Sequence, residues 1–418
     1  MLKKKLLQDP ETHQEEIRRT IRKALSQTVK GEFSAQRDYP VYVTRTRFRE
    51  SGMPSGLPLL IDHIPAIVLS YAKIADTSLT AEDLLILDLE TTGLSRGGGM
   101  LAFMVGLGYY EGDTYIVEQL FLPEPESEFN AFDLLLPLLE RKAVLVTFNG
   151  KSFDLPILES RFLHNQLWLD LRSKPHLDLL HLARRLWKRK VPSCALETLE
   201  YYVLGQVRDK ELDIEGSDIP QTYFQFLTTG DPELLRRIFV HNQTDVLHTA
   251  ALFALICQQT DFPLPAEHDI RIDYHALGKL YQSQQKEAEA LSILSGLVAE
   301  QLITPALVYD LGMLYKKRKA FAEALECFRQ GADLLHPPSL HELALLHEQR
   351  TKDLDTALQL CETLYQMHSS ESLQYARLLA DLDKRMDRLN AKLSKSRQAN
   401  STPKPQKKRK KDTDPCEK

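Results

Sequence analysis

Paired cysteines, long apolar runs and an excess of basic residues are all missing from this 418-residue chain. Its five cysteines, Cys194, Cys257, Cys327, Cys361 and Cys416, are scattered with no CxxC pair. That removes a thiolate zinc site and a disulfide framework, and it fits reduced thiols. No stretch approaches the roughly 20 apolar residues of a membrane span. The basic start MLKKKLLQDPETH is not followed by the apolar run of a signal peptide. A cytoplasmic protein without a membrane segment is therefore expected. The net charge of −5 shows that the chain as a whole is not a polycation, although a local basic patch can sit on an acidic protein. Neither a complete GxxxxGK[ST] loop, since Leu145 stands where its first glycine would be, nor a GxGxxG pattern is present, so the glycine-rich routes to nucleotide binding are closed.

What is present is enough apolar residue for ordinary cores, 43%, in a length that suggests two or three domains. Residues 1–80 read as an amino-terminal extension of unclear role, with a charged helix around Glu15–Thr28 and a strand-like run from Tyr39 to Phe48. From residue 81 the pattern sharpens. LLILDLE is a continuous apolar run ending in acids, as a buried central strand requires. LAFMVGLGYY and TYIVEQLFL, separated by Glu111-Gly112-Asp113, read as a hairpin beside it. A helix over Glu126–Arg141, a strand AVLVTFN and a helix from Ser152 follow, and the chain to Cys257 reads as mostly helical. Strands first and then alternating elements give an α/β domain with a mixed sheet flanked by helices, over 81–260.

Residues 261–272 read as a linker, with two prolines. Beyond it a pattern repeats: Leu277-Gly278, Tyr281, Ala290 and Leu294 recur 34 residues later as Leu311-Gly312, Tyr315, Ala324 and Phe328. That period resembles the tetratricopeptide repeat, so an all-α helical-repeat domain is expected over 273–390, with a divergent third unit near Leu343-Ala344. Residues 391–418, ending in KKRKK and DTDPCEK, read as a disordered basic tail.

Acids at three places carry the chemistry. Asp88 and Glu90 are two apart, which on a strand puts both on one face about 7 Å apart. Acids at the end of an apolar strand either enter solvent or are paired or metal-bound. Asp154 follows AVLVTFN and a Gly150-Lys151-Ser152 turn, where it is either a helix amino-terminal acid or a third ligand. Asp245 lies in a helical stretch with His241 one turn earlier on the same face. His241 is either a surface histidine or an imidazole placed to take a proton from water.

Taken in order, DLETTG, NGKSFD and HNQTDV resemble the DEDD superfamily of 3′–5′ exonucleases, which have an RNase H-like fold. With GLSRGGGMLAFMVGLG, VEQLFL and HLDLLHLARRLWK added, the stretch from Leu84 to Leu255 is similar to the YprB branch of that superfamily. The resemblance implies four metal-binding acids, Asp88, Glu90, Asp154 and Asp245, holding two Mg²⁺ or Mn²⁺ ions. Oxygen-only ligands favour those ions over zinc. It implies single-stranded DNA or RNA 3′ ends as substrate, with Thr91, Thr92 and Gly93 near the terminal nucleotide and Asn149 and Lys151 as further contacts. Superfamily members usually have tyrosine four residues before the last acid or histidine five before it. Here His241 stands at the four-residue position, and it is the expected proton acceptor, with His248 a lesser candidate.

RRLWKRK, from Arg184 to Lys190, sets five cations around Trp187. It reads either as a phosphate-contacting, base-stacking segment or as a basic helix face over a core tryptophan. The glycines of SRGGG serve either a close approach to a strand or a hairpin turn. Two functions are carried forward: a metal-dependent 3′–5′ exonuclease with an attached repeat module, which either packs structurally against the nuclease domain or binds a protein partner, and a weak or inactive nuclease-fold protein that binds nucleic acid and acts as a repeat-based adaptor.

Overall fold

The computed structural model describes residues 10–35, 38–49, 56–93, 99–262, 272–369 and 372–401. The KKRKK tail, most of the expected linker and most of the SRGGG turn lie outside them. The chain divides into two compact units, Met1–Lys286 and Glu287–Lys418.

The first unit is built on a seven-stranded mixed sheet. Its strands are β1 (Glu32–Phe33), β2 (Tyr42–Phe48), β3 (Leu84–Thr91), β4 (Ala102–Glu111), β5 (Thr114–Phe121), β6 (Val144–Thr147) and β7 (His176–Asp178). They lie in the order β1-β2-β5-β4-β3-β6-β7. β3, β6 and β7 run parallel, and the other pairings are antiparallel. The α/β class with a mixed sheet is as the sequence led one to expect. The segment before residue 81 is not a separate appendage, however: β2 pairs with β5 along seven residues, from Tyr42↔Phe121 to Phe48↔Tyr115. The alternation in YVTRTRF supplies one apolar face, and Arg45 on the other face reaches Glu118 of β5 at 2.8 Å. His176–Asp178, expected within a helical region, is a short parallel edge strand instead.

Helices cover both faces, which is why β4 and β5 are buried along nearly their whole length. Helices α1 (Pro10–Thr28), α2 (Ala66–Tyr71), α3 (Glu128–Arg141), α4 (Asp154–His164), α5 (Leu179–Leu186), α6 (Leu196–Leu199), α7 (Ile219–Thr229), α8 (Glu233–Thr260) and α9 (Tyr274–Ser283) belong to this unit. The long α8 crosses β3, β4 and β5. It comes close because β4 carries Gly106 and Gly108 there: a Cβ on Gly106 would stand 2.4 Å from Asn242 Oδ1, and one on Gly108 2.7 Å from Val246 Cγ1. Phe103 stacks on Tyr223 of α7 at 3.9 Å between centroids, so α7 seals the same face.

Trp187 is fully buried. It cannot stack on a base, and the core-tryptophan reading of RRLWKRK is the right one. Arg184, Arg185, Lys188, Arg189 and Lys190 are exposed around it, and Arg189 forks onto Asp273 at 2.5 and 2.9 Å. That pair, together with packing of α9 against α5, ties α9 to the sheet-bearing unit. The compact division therefore falls inside the stretch read as the first repeat.

The second unit is all helical: α10 (Glu287–Ala299), α11 (Pro305–Lys317), α12 (Phe321–Asp333), α13 (Pro337–Leu346), α14 (Leu354–His368) and α15 (Ser372–Ser401), each packed on the next. The recurring small and large positions have a steric reason. A Cβ on Gly312 would stand 2.6 Å from the Phe328 ring, so the glycine of α11 admits the aromatic of α12. Residues 391–401, expected to be disordered, continue α15. Leu393 is buried there, and Lys392 closes on buried Glu348 at 2.8 Å, as Arg388 does one turn earlier at 3.0 Å. Among the described residues no helix is long and apolar enough to cross a membrane.

Candidate metal and nuclease site

β3 places its acids by alternation. Asp88 pairs across to Gly106 and Glu90 to Met104, with a register shift between Glu90 and Thr91 that ends regular pairing. Asp154 is the first residue of α4, reached by the turn after β6. In that turn Asn149 has φ 67°, and Gly150 passes so close that a Cβ would stand 2.8 Å from Asp154 Oδ2. The turn is pinned by Asp178, whose carboxylate accepts from the backbone N–H of Asn149 at 2.8 Å and of Lys151 at 3.1 Å. Asp178 also caps α5 by accepting from Leu180 N at 3.1 Å. Sequence reasoning did not single out Asp178. Its signal was an acid between a strand and a helix.

α8 brings the other half. Asn242, fully buried, donates to Asp88 Oδ2 at 2.9 Å. Its own carbonyl accepts from Gln119 Nε2 at 3.0 Å, and Gln119 in turn accepts from Thr44 Oγ1 at 2.8 Å. A chain of hydrogen bonds thus runs from β2 through β5 and α8 to the first acid of β3. Three residues after Asn242, Asp245 is held by the Arg208 guanidinium. Arg208 also reaches Glu200 (Nε to Oε2, 2.6 Å) and Asp213 (3.3 Å). His241 Nδ1 lies 2.8 Å from Asp213 Oδ1, and its Nε2 stands 3.7 Å from Asp245 Oδ2. His248 does not face the acids of the sheet; its Nδ1 lies 3.0 Å from Glu200.

The electrostatics show how near the four acids are to one another. Burial first, then the charges of Asp245, Glu90 and Asp154, hold Asp88 well above the usual carboxylate range. Burial and the charges of Asp245 and Asp154 push Glu90 up to about 8. Asp154 is pushed up to about 7 by burial and by Asp178. Asp245 is raised by burial, against the pull of His241 and Arg208. Burial lowers His241, but the hydrogen bond to Asp213 and the charges of Asp245 and Asp213 outweigh it, so the imidazole is raised above its ordinary value. Glu200 and Asp213, despite their burial, are lowered by their cationic partners.

Four carboxylates in mutual repulsion, all oxygen donors, fit hard divalent cations in chemistry and in charge. As the side chains stand, no three His, Cys, Asp or Glu groups among the described residues are arranged to hold one ion. The fit is therefore one of donor type and charge rather than of finished geometry.

The remaining candidates lie around this centre. Thr91 Oγ1 donates to Gly93 O at 3.2 Å, and Thr92 Oγ1 accepts from Leu101 N at 3.0 Å, closing the mouth of the β3–β4 hairpin. Lys151 is exposed and Asn149 half-buried. A cavity of about 450 Å³ opens beside His241 and Arg208, lined also by Tyr201, Tyr202, Lys210 and Arg237. Both tyrosines are exposed.

A family model described as the RNase_H superfamily matches residues 85–257. The curated "Uncharacterized protein YprB" of Bacillus subtilis (strain 168) is 32% identical over 290 residues, which is 67% of this chain and 68% of that protein. Among solved structures, the family B DNA polymerase from the hyperthermophilic archaeon Pyrobaculum calidifontis is similar over 56% of this chain but only 29% of its own, at 16% identity and a TM-score of 0.33.

Proposed function

Because this chain belongs to the same family as YprB and carries a domain of the RNase H superfamily, we propose that it is a metal-dependent 3′–5′ exonuclease of the DEDD type, acting on single-stranded DNA or RNA ends. Membership of the RNase H superfamily points to nucleic-acid hydrolysis in general. The observation that carries the finer reading is the gathering of Asp88, Glu90, Asp154 and Asp245, each raised by burial, with the other acids pushing Asp88 and Glu90 further. A protein that buries acids at such cost, with no salt bridge to Asp88, Glu90 or Asp154 among the described residues, is built to receive a cation.

In this reading the four acids hold two Mg²⁺ or Mn²⁺ ions. The chemistry such ions would supply when bound there is activation of a water and an offset to charge on the scissile phosphate. Asn242 fixes the rotamer of Asp88. Asp213 holds His241 Nδ1 and leaves Nε2 to accept the water's proton. Thr91, Thr92 and Gly93 line the approach, with Asn149 and Lys151 beside it, and the exposed Arg184 and Arg185 of α5 with Lys188 and Lys190 after it offer phosphate contacts. The helices of the second unit are read as tetratricopeptide-like and as a platform for a protein partner.

One observation favours the rival reading of an inactive nuclease-fold adaptor: Asp245 is already taken by Arg208. A panel of 5′-labelled DNA and RNA oligonucleotides with Mg²⁺ or Mn²⁺ separates the two. The exonuclease shortens them from the 3′ end, and Asp88→Ala reduces the rate by about 10³ or more, on the scale of losing a metal-activated nucleophile. No shortening of any end with either metal gives the adaptor reading the field.

A further inference from the structure

Arg208 is the cation of the site that the chain supplies itself. Only 13% of its side chain is exposed, and one guanidinium serves three carboxylates, those of Glu200, Asp213 and Asp245. Its place is fixed locally: Gly205, at φ 68°, ends the short helical turn Glu200–Leu204, and Gln206 N donates back to Glu200 O at 2.9 Å. Among the described residues Asp88, Glu90 and Asp154 form no salt bridge, although Glu90 feels the charge of Arg208 from further off. The four acids are thus divided into three that await positive charge and one that already has it.

We propose that Arg208 is a built-in counter-cation for Asp245, which must leave that carboxylate before a second divalent cation is held, so that the two cations bind in unequal steps. The proposal rests on the reading of the four acids as a cation site. A guanidinium and a divalent ion cannot share the oxygens of Asp245 without strong repulsion at contact distance. Release is local, because Arg208 keeps Glu200 through Nε at 2.6 Å and NH2 at 2.5 Å, and Asp213 through NH1, after Asp245 is given up. The first cation meets only uncompensated acids. The second must displace a salt bridge. Arg208 is a positioning residue in this account, since it acts through Asp245.

The test is a Mn²⁺ titration of the full-length protein, stripped with EDTA and dialysed, following free Mn²⁺ by electron paramagnetic resonance. Wild type is expected to bind one Mn²⁺ tightly and a second about tenfold or more weakly. In Glu200→Gln/Arg208→Gln, which removes the cation together with its most buried partner, the second step tightens by a similar factor and the gap closes. Arg208→Gln alone carries the same expectation with a lower melting temperature, because Glu200 loses its fork. Glu200→Gln alone leaves Arg208 on Asp245 and keeps the gap. Two equal steps in wild type, or a gap that persists in a folded variant lacking Arg208, overturns the proposal while leaving the cation site standing. No Mn²⁺ bound by any form overturns the cation site and this proposal with it.

Discussion

On the sheet side of the site, Asp88 and Glu90 near the end of β3 and Asp154 at the start of α4 have a neutral side-chain amide and backbone N–H groups for partners and face the charge of other acids. On the helix side, Asp245 sits among Arg208, His241 and, beyond them, Glu200, Asp213 and His248. The same residue type is thus kept in two electrostatic conditions within one site. The difference teaches where charge is stored. The sheet holds acids rigidly and leaves them unneutralised, whereas the helix holds its acid in a network that can trade one cation for another. Rigid placement suits ligands that must be ready, and a network suits a group that changes partner.

The sharpest way to break this contrast is through His241. His241→Ala lowers the rate by about 10²–10⁴ and removes the limb of the pH–rate profile that rises as the imidazole loses its proton. An unaltered rate and profile takes His241 out of the mechanism and makes the helix side purely structural.

A smaller effect tests how α8 sets Asp88. In Gly106→Ala the new methyl meets Asn242, so the helix must lift or the amide must leave Asp88. The expected cost is about 1–3 kcal/mol by denaturant melts, with slower cleavage. A change below about 0.5 kcal/mol means that Asn242 is not seated against β4 as described.

The smallest effect is in pH dependence. Glu90 and Asp154 have folded values near 8 and 7, above their ordinary ones, so the folded state binds more protons than the unfolded chain between those limits. Their contribution is therefore full at acid pH and is lost as pH rises through about 7 and 8. In EDTA the melting temperature falls by roughly 4 °C or more between pH 6 and pH 8.5, and millimolar Mn²⁺ flattens the fall by favouring the ionised acids. An equal slope with and without Mn²⁺ says that the sheet-side acids are not where the cation goes.

Much of the fold was legible because the signals were local. The apolar run of β3, the β4–β5 hairpin around Gly112 and the helix that begins near Asp154 are each encoded by residues next to one another. The four acids were named by the resemblance that DLETTG, NGKSFD and HNQTDV carry in that order, since each acid alone also fitted an ordinary strand end or helix start. Asn242 stood inside the last of these motifs, yet its bond to Asp88 spans 154 positions, and no local pattern announces that. The burial of Trp187 hid behind a run of cations, because charge periodicity reports the outer face of a helix and not what lies under it. The place of β2 in the sheet was missed because a strand that ends at Phe48, well before the domain's first sharp run at Leu84, finds its partner only through the hairpin.

What the sequence determined by itself is the set of four acids, their order, and the strand and two helices that carry them. What only the tertiary structure decided is the state of those donors. Arg208 lies 37 positions from Asp245 and Asp213 lies 28 from His241. Their pairing depends on how a loop folds back against α8, a matter of distance in space that residue types and spacing do not specify. Ionisation follows from such distances and from burial, so the charge of the site was settled by the fold and its chemistry by the sequence.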